Sequence, residues 1–356
     1  MRHLLDVTPA GAEPYPVFCG TEPAAALASV WRHEWRQAVI IGDETTSSLF
    51  GDALERSLTL VNCEVHRLTF PPGEAHKSRA TKEALEDAMF AARIDRDACV
   101  VAVGGGVTLD LAGFVAATYH RGIAHVNVAT TLLAQVDAAI GGKTGVDCAH
   151  GKNLVGAFHH PRAVMLDIGA LSSLPDRERR NGLAEAVKHA ILFDSQLFAT
   201  FEAWDASTGL PTEDVIGRCA SLKASVIAKD STDKGIRNVL NFGHTVAHAL
   251  ESASSHTLPH GLAVAVGMAV ETRAAASLGW LEESEASRVR LLLERLGLPT
   301  RVPLSFEEAS PFLESDKKRK GGELTLALPI RLGTIAPVDG RYTRAVPLSA
   351  LEAAWK

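Results

Sequence analysis

The chain has 356 residues, 36 of them basic and 42 acidic, for a net charge of −6. That length is large for one core and points to two domains. The acidic balance gives no support to a nucleic-acid partner, which would need a basic excess on one face. The five cysteines are widely spaced with no CxxC. This argues against a disulfide framework or a cysteine zinc site and fits reduced thiols in a cytoplasm. No apolar run reaches the roughly 18 residues of a membrane span, and the first residues lack the apolar segment of a signal peptide.

In chain order, residues 38–43 read as a buried strand ending in a turn, and 64–70 alternate with the period of a half-buried strand. A helix is predicted over about 77–92. Residues 98–103 form a strand with both faces apolar, running into Gly104-Gly105-Gly106. A helix over 108–118 and a strand over 125–128 follow. Strand, helix, strand at this spacing predicts βαβ units in a Rossmann-like parallel sheet with helices on both faces. After Leu174 the pattern changes to helices over 179–193, 212–229, 238–254, 259–279 and 282–296, with one small strand near 324–328. The expectation is an α/β domain over 1–174 and a mostly α-helical domain over 175–356.

Gly104, Gly105 and Gly106 sit where a strand opens into a helix. Glycines there let a phosphate approach the backbone, and the helix start offers free N–H groups to it. A tight turn would use the same residues, and GxGxxG is absent. Asp43 ends a strand where a ribose diol is held in doubly wound folds, although a helix cap would look the same. Glu74 and Lys77 lie in a polar loop after the next strand.

Glu185 and Lys188, i and i+3 on a helix apolar on most sides, need partners or a metal. His244 and His248 share a helix face, and His260 opens another apolar helix. Glu185, His244 and His260 would give one oxygen and two nitrogens, a common donor set for catalytic zinc. Hydrogen-bonded core histidines are the plainer alternative. Between residues 137 and 154, Asp137, Lys143, Lys152 and Asn153 lie among glycines, suggesting a loop that turns cations toward an anion. Arg121, Lys223 and Arg237 are candidates to join them.

Together these segments resemble the 3-dehydroquinate synthase family of sugar-phosphate cyclases. The resemblance is carried by Gly104-Gly105-Gly106-Val107 with Asp110-Leu111-Ala112-Gly113-Phe114, by 130–137 (TTLLAQVD), by Gly141-Gly142-Lys143-Thr144-Gly145 and by Gly151-Lys152-Asn153. It continues through Gly182-Leu183-Ala184-Glu185 with Lys188, 240–245 (LNFGHT), His260-Gly261 and Asp316-Lys317-Lys318. Leu109, Ala129 and Leu262 depart from the family pattern, where glycine, proline and glutamate are usual.

The resemblance implies NAD in the first domain and one divalent metal, zinc or cobalt, in the second. It implies Glu185, His244 and His260 as ligands. Around the substrate it implies Asp137, Lys143, Lys152, Asn153, Lys188, Lys223, Arg237, Asn241, His248 and Lys318, with Arg121 reaching the substrate phosphate from the neighbouring subunit of a homodimer. Asp43, Glu74, Lys77, Asp110, Thr130, Thr131, Lys143 and Lys152 are implied beside the cofactor. The implied reaction converts 3-deoxy-D-arabino-heptulosonate 7-phosphate to 3-dehydroquinate and phosphate by transient oxidation, elimination, re-reduction and aldol closure. A cyclase of secondary metabolism and a metal-dependent polyol dehydrogenase remain open at this point.

Overall fold

A computed structural model describes residues 1–204, 209, 211–254, 257–315 and 323–355. The chain divides into two compact units, Met1–Leu174 with Thr212–Ser231, and Pro175–Pro211 with Thr232–Lys356.

The first unit contains β1 (Arg2–Val7), β2 (Tyr15–Gly20), α1 (Pro23–Val30), β3 (Gln37–Asp43), α2 (Glu44–Leu60), β4 (Glu64–Phe70), α3 (Arg79–Ala91), β5 (Cys99–Gly104), α4 (Gly106–Thr118) and β6 (Ala124–Ala129). The hairpin β7 (Lys143–Cys148) and β8 (Gly151–Phe158) follows, then β9 (Val164–Asp167). Seven strands form one sheet in the order β1-β2-β9-β6-β5-β3-β4. All neighbours are parallel except the β1–β2 pair. Ile40, Val101, Val103, Val126, Val128 and Met165 from its strands pack with Leu27, Leu54 and Leu58 into a core. A strand buried on both faces reads as an unbroken apolar run, which is why β5 was legible in the sequence. The chain crosses from β3 out to β4 and back past it to β5. The order reverses between β3 and β5, and ligands of such sheets sit at the carboxyl ends of the strands flanking that reversal.

The second unit holds α5 (Asp176–Phe193), α6 (Ser195–Ala203), α8 (His244–Ala253), α9 (His260–Ser277), α10 (Glu283–Arg295), α11 (Phe306–Ser315), the pair β10 (Glu323–Leu326) and β11 (Arg344–Pro347), and α12 (Leu348–Ala353). The intervening α7 (Glu213–Lys229) belongs to the first unit. This differs from the expected single domain over 175–356: α7 packs on β1, β2 and the turn Ala134–Ala138, a long-range pairing that no local pattern signals. α9 is the centre of the helical unit, with α5, α8, α10 and α12 against it. It is apolar nearly all round because nearly every face is covered.

Two further expectations are corrected. The predicted helix over 238–254 is a 3-10 turn, Ile236–Asn241, followed by α8. Gly243 interrupts them at φ 79°, a conformation open to glycine. The predicted glycine-rich loop over 137–154 is instead a π turn at Ala134–Ala138 and the β7–β8 hairpin.

A Cβ on Gly267 would lie 1.9 Å from the Gly243 carbonyl oxygen, so α9 and the start of α8 touch backbone to backbone. Gly267→Ala is expected to destabilise the protein by about 1–3 kcal/mol, the cost of an overpacked core, measured by urea unfolding.

His125 on β6 is 1% exposed and stacks on His159 with ring centroids 5.0 Å apart. Burial first, then the neighbouring His159, His160 and Arg162, hold its imidazole neutral far below the ordinary 6.5. The unfolded chain therefore takes up this proton first, and stability is lost as pH falls below about 6.5. Each such histidine steepens the loss by up to about 1.4 kcal/mol per pH unit. His125→Gln should flatten the fall in unfolding free energy between pH 6.5 and 5.5, read from denaturant titrations at each pH.

Candidate metal centre and nucleotide cradle

In the helical unit, α5 carries Glu185 and Lys188 one turn apart, both with 0% exposure and joined as an ion pair. A carboxylate at that depth is stable only with positive partners around it. His244 comes from the first turn of α8 and His260 from the first residue of α9. The Nε2 atoms of both lie 3.5 Å from Glu185 Oε1. One ligand atom from each of the three side chains falls within 4.8 Å of the others. No other cluster of three or more such side chains occurs among the described residues.

The backbone around the triad is fixed by buried polar bonds. Gly261 N–H donates to Asn181 Oδ1 at 2.6 Å, and a Cβ on Gly261 would sit 1.8 Å from the Asn181 carbonyl oxygen. That contact ties the start of α9, and so His260, to α5 one turn before Glu185. Gly243 N–H donates to Oε2 of the buried Glu271 at 2.8 Å, which ties the residue before His244 to α9.

The far nitrogens of both rings also face acceptors. His244 Nδ1 lies 3.1 Å from the Phe242 carbonyl oxygen, and His260 Nδ1 lies 3.6 Å from Glu251 Oε1. With a proton on Nδ1, Nε2 would keep a free lone pair, the tautomer a metal ligand needs. Burial, then the Lys188 charge, pushes His244 well below 6.5, so it stays neutral. Burial also pulls His260 down, but Glu185 and Glu251 outweigh it and hold its imidazolium up to about 9. The carboxylates that keep a proton there would favour a dication in its place. A buried carboxylate with two imidazoles aimed at it by their Nδ1 partners fits zinc or cobalt. Glu251, Glu271 and Asn181 carry this geometry, and the sequence reading gave them no role. Glu251 lies three residues after His248 on α8, a spacing that marked it only as another helical residue.

His248 shares the α8 face with His244, their rings 5.6 Å apart, and its ring stacks 6.4 Å from that of His260. Arg237 is buried and Asn241 partly so, both on the 3-10 turn before α8. Lys318 lies outside the described residues.

In the first unit, β5 ends at Gly104 and α4 begins at Gly106 without a side-chain cap on its first amides. A Cβ on Gly105 would come within 2.9 Å of Thr131 Cγ2, and one on Gly104 within 2.6 Å of Thr108 Oγ1. The turn therefore exposes backbone where a side chain would not fit, a cradle suited to a pyrophosphate. Pairing of Gly104 with Ala129 sets Thr130 and Thr131 beside it, and Thr130 N–H donates to the Gly104 carbonyl at 3.0 Å. Asp43 ends β3, on the other side of the sheet's reversal. Its Oδ1 accepts the amides of Thr45 and Thr46, each at 2.9 Å, so it caps α2.

Lys77 is buried behind the Glu74–His76 turn and donates to Asp110 Oδ2 at 2.6 Å and Asn153 Oδ1 at 2.5 Å. Burial opposes its charge, and Asp110 restores it. Lys152 Nζ lies 3.6 Å from Glu74 Oε1. Lys223 on α7 donates to the Asp137 carbonyl at 2.6 Å and pairs with its carboxylate at 2.5 Å. Lys143 opens β7 and is exposed. The fold thus brings Glu74, Lys77, Asp110, Lys152 and Asn153 into one network. Arg121 does not join it. It lies beyond the far end of α4, about 20 Å of helix from the glycine turn at 1.5 Å per residue.

Comparison with known proteins agrees with this geometry. The family described as 3-dehydroquinate synthase N-terminal matches residues 67–181, and 3-dehydroquinate synthase C-terminal matches 182–319. The chain belongs to the 3-dehydroquinate synthase family. A 3-dehydroquinate synthase of Symbiobacterium thermophilum is 44% identical over 335 residues, covering 91% of this chain and 94% of that protein. A 2-deoxy-scyllo-inosose synthase, solved with carbaglucose-6-phosphate, NAD+ and Co2+, superposes at TM-score 0.90 with 27% identity, covering 99% of this chain and 98% of that one. The 2-epi-5-epi-valiolone synthase of Streptomyces hygroscopicus, solved with NAD+ and Zn2+, superposes at 0.85 with 31% identity, covering 96% of each.

Glu251→Gln is expected to weaken zinc binding about 10- to 100-fold, the usual cost of losing the partner that orients a metal-bound histidine. Chelator-competition titration checks it, with unchanged affinity as the contrary result.

Proposed function

We propose that the chain is a 3-dehydroquinate synthase, a carbon–oxygen lyase that closes the heptulosonate 7-phosphate to 3-dehydroquinate with release of phosphate, in the shikimate route to chorismate and the aromatic amino acids. The observation that carries this reading is the Glu185–His244–His260 donor set in a chain matched to this family over both parts. When bound, the nicotinamide would take up and return one hydride, and the divalent ion would polarise the substrate hydroxyls it meets.

The chain's own residues do the remaining work. Glu185, His244 and His260 hold the ion, and Glu251 and the Phe242 carbonyl orient the two rings. Lys188 balances the Glu185 charge. His248, exposed on the same helix face, is suited to proton transfer. Lys152, Asn153 and Lys143 serve the substrate's anionic groups, with Arg237, Asn241 and the 316–318 segment assigned to its carboxylate. A substrate with a carboxylate at one end and a phosphate at the other calls for cations at both, whereas a sugar phosphate with a neutral far end would need them only at the phosphate. Asp137 and Lys223, paired with each other, are also assigned to the substrate. Glu74, Lys77, Asp110, Thr130 and Thr131 with the glycine turn receive NAD, and Asp43 stands beside them. Arg121 is assigned to the site of the partner subunit in a homodimer. The expected setting is the cytoplasm, and no helix among the described residues is long and apolar enough to cross a membrane.

Catalytic return of the hydride makes a distinctive assay. With heptulosonate 7-phosphate, NAD and zinc, inorganic phosphate should appear in step with 3-dehydroquinate while NADH stays flat. Steady growth of NADH would indicate a polyol dehydrogenase, and a carbocycle other than 3-dehydroquinate by NMR would indicate a different cyclase.

A further inference from the structure

The β7–β8 ladder runs in register from Lys143↔Phe158 to Val146↔Val155 and resumes at Cys148↔Gly151. Between those rungs β7 has Asp147 alone, while β8 has Lys152, Asn153 and Leu154. The hairpin is therefore bulged at the two residues assigned to the substrate anion. Asn153 is left-handed there, at φ 57°. A bulge re-aims side chains but removes the ladder bonds that would hold them still.

Asp147 supplies the missing restraint. Its Oδ1 accepts the Asn153 N–H at 2.8 Å. Its own N–H donates to the Lys77 carbonyl at 2.8 Å, and a parallel bridge joins it to Ser78. One residue is thus bonded to the bulge through its side chain and to the Glu74–Lys77 loop through its backbone. Two further links between these segments, Lys77 Nζ to Asn153 Oδ1 and Lys152 to Glu74, run between side chains, which a ligand can rearrange. The Asp147 bonds run to the backbone, to the Asn153 amide and the Lys77 carbonyl, and so hold the main chain of both segments.

We propose that Asp147 is a positioning residue that clamps the Lys152–Asn153 bulge to the Glu74–Lys77 loop, so that the segments serving the sugar phosphate and the nicotinamide nucleotide are held in one arrangement. This rests on the function proposed above. Asp147 is not among the residues assigned to either ligand. It acts by fixing the backbone from which the ligand-binding side chains project.

Enzyme loaded with NAD and zinc, with Asp147→Ala and Asp147→Asn beside it, tests the clamp. In Asp147→Ala the KM for heptulosonate 7-phosphate should rise about tenfold with kcat within about threefold, as expected when a hydrogen bond that pre-sets a binding loop is lost. Hydrogen–deuterium exchange of the peptide spanning 149–155 should quicken in the same variant. Asp147→Asn keeps a side-chain carbonyl for the Asn153 amide and should recover most of both effects. The proposal is overturned if Asp147→Ala keeps the original KM, whether or not exchange quickens. It is also overturned if both variants lose kcat, KM and melting temperature alike, which marks a purely structural residue. If the unaltered protein releases no phosphate from the heptulosonate, the function reading fails. The exchange comparison then decides the backbone clamp by itself: faster exchange in Asp147→Ala and recovery in Asp147→Asn supports it, and equal exchange in all three proteins overturns it.

Discussion

A carboxylate that no water reaches is the constraint on which the helical unit depends. Glu185 has 0% exposure, and its burial would be prohibitive without Lys188 and the two imidazoles that converge on Oε1. Three helices must deliver those groups to one point, so their mutual packing is specified much more tightly than apolar contact alone would require. Gly261 and Gly267 serve that end: each admits backbone where any side chain would force α9 away from its neighbours. The same arrangement that satisfies the charge also creates a donor set for a divalent ion. Stability and function here draw on the same atoms.

The first unit meets a different requirement. A parallel sheet has to reverse its winding somewhere, and the reversal between β3 and β5 opens a crevice at the strand ends. Gly104–Gly106, Thr130, Thr131 and Asp43 come to that edge because the register of β3, β5 and β6 ends there. Asp43 caps α2 through its Oδ1 at that strand end, the local role the sequence left open beside a ribose contact. The cation-bearing hairpin is then attached to this edge through Lys77 and Asp147.

Family membership and site geometry carry separate parts of the functional reading. The likeness to curated synthases extends over most of the chain, so it speaks for the reaction class. The orientation of His244 and His260 by the Phe242 carbonyl and Glu251 speaks for the ion independently of any relative. The network of Lys77, Asp110 and Asn153 joins residues assigned to two different ligands, which suits a reaction that keeps its cofactor through the cycle.

By itself the sequence determined what depends on neighbours along the chain: β3, β4 and β5 from apolar runs and alternation, α5 and α9 from long helical patterns, and the glycine turn from its place between strand and helix. It also presented Glu185, Lys188, His244 and His260 as polar groups in apolar surroundings. Only the tertiary structure decided that α7 packs with the sheet, that residues 143–158 form a bulged hairpin, and that Glu251, Glu271, Asn181 and Asp147 meet His260, Gly243, Gly261 and Asn153. Those outcomes rest on contacts between residues far apart in the chain, such as Gly261 with Asn181 and Asp147 with Lys77. Local periodicity carries no information about such pairs, because the free energy that selects them arises only when the elements meet.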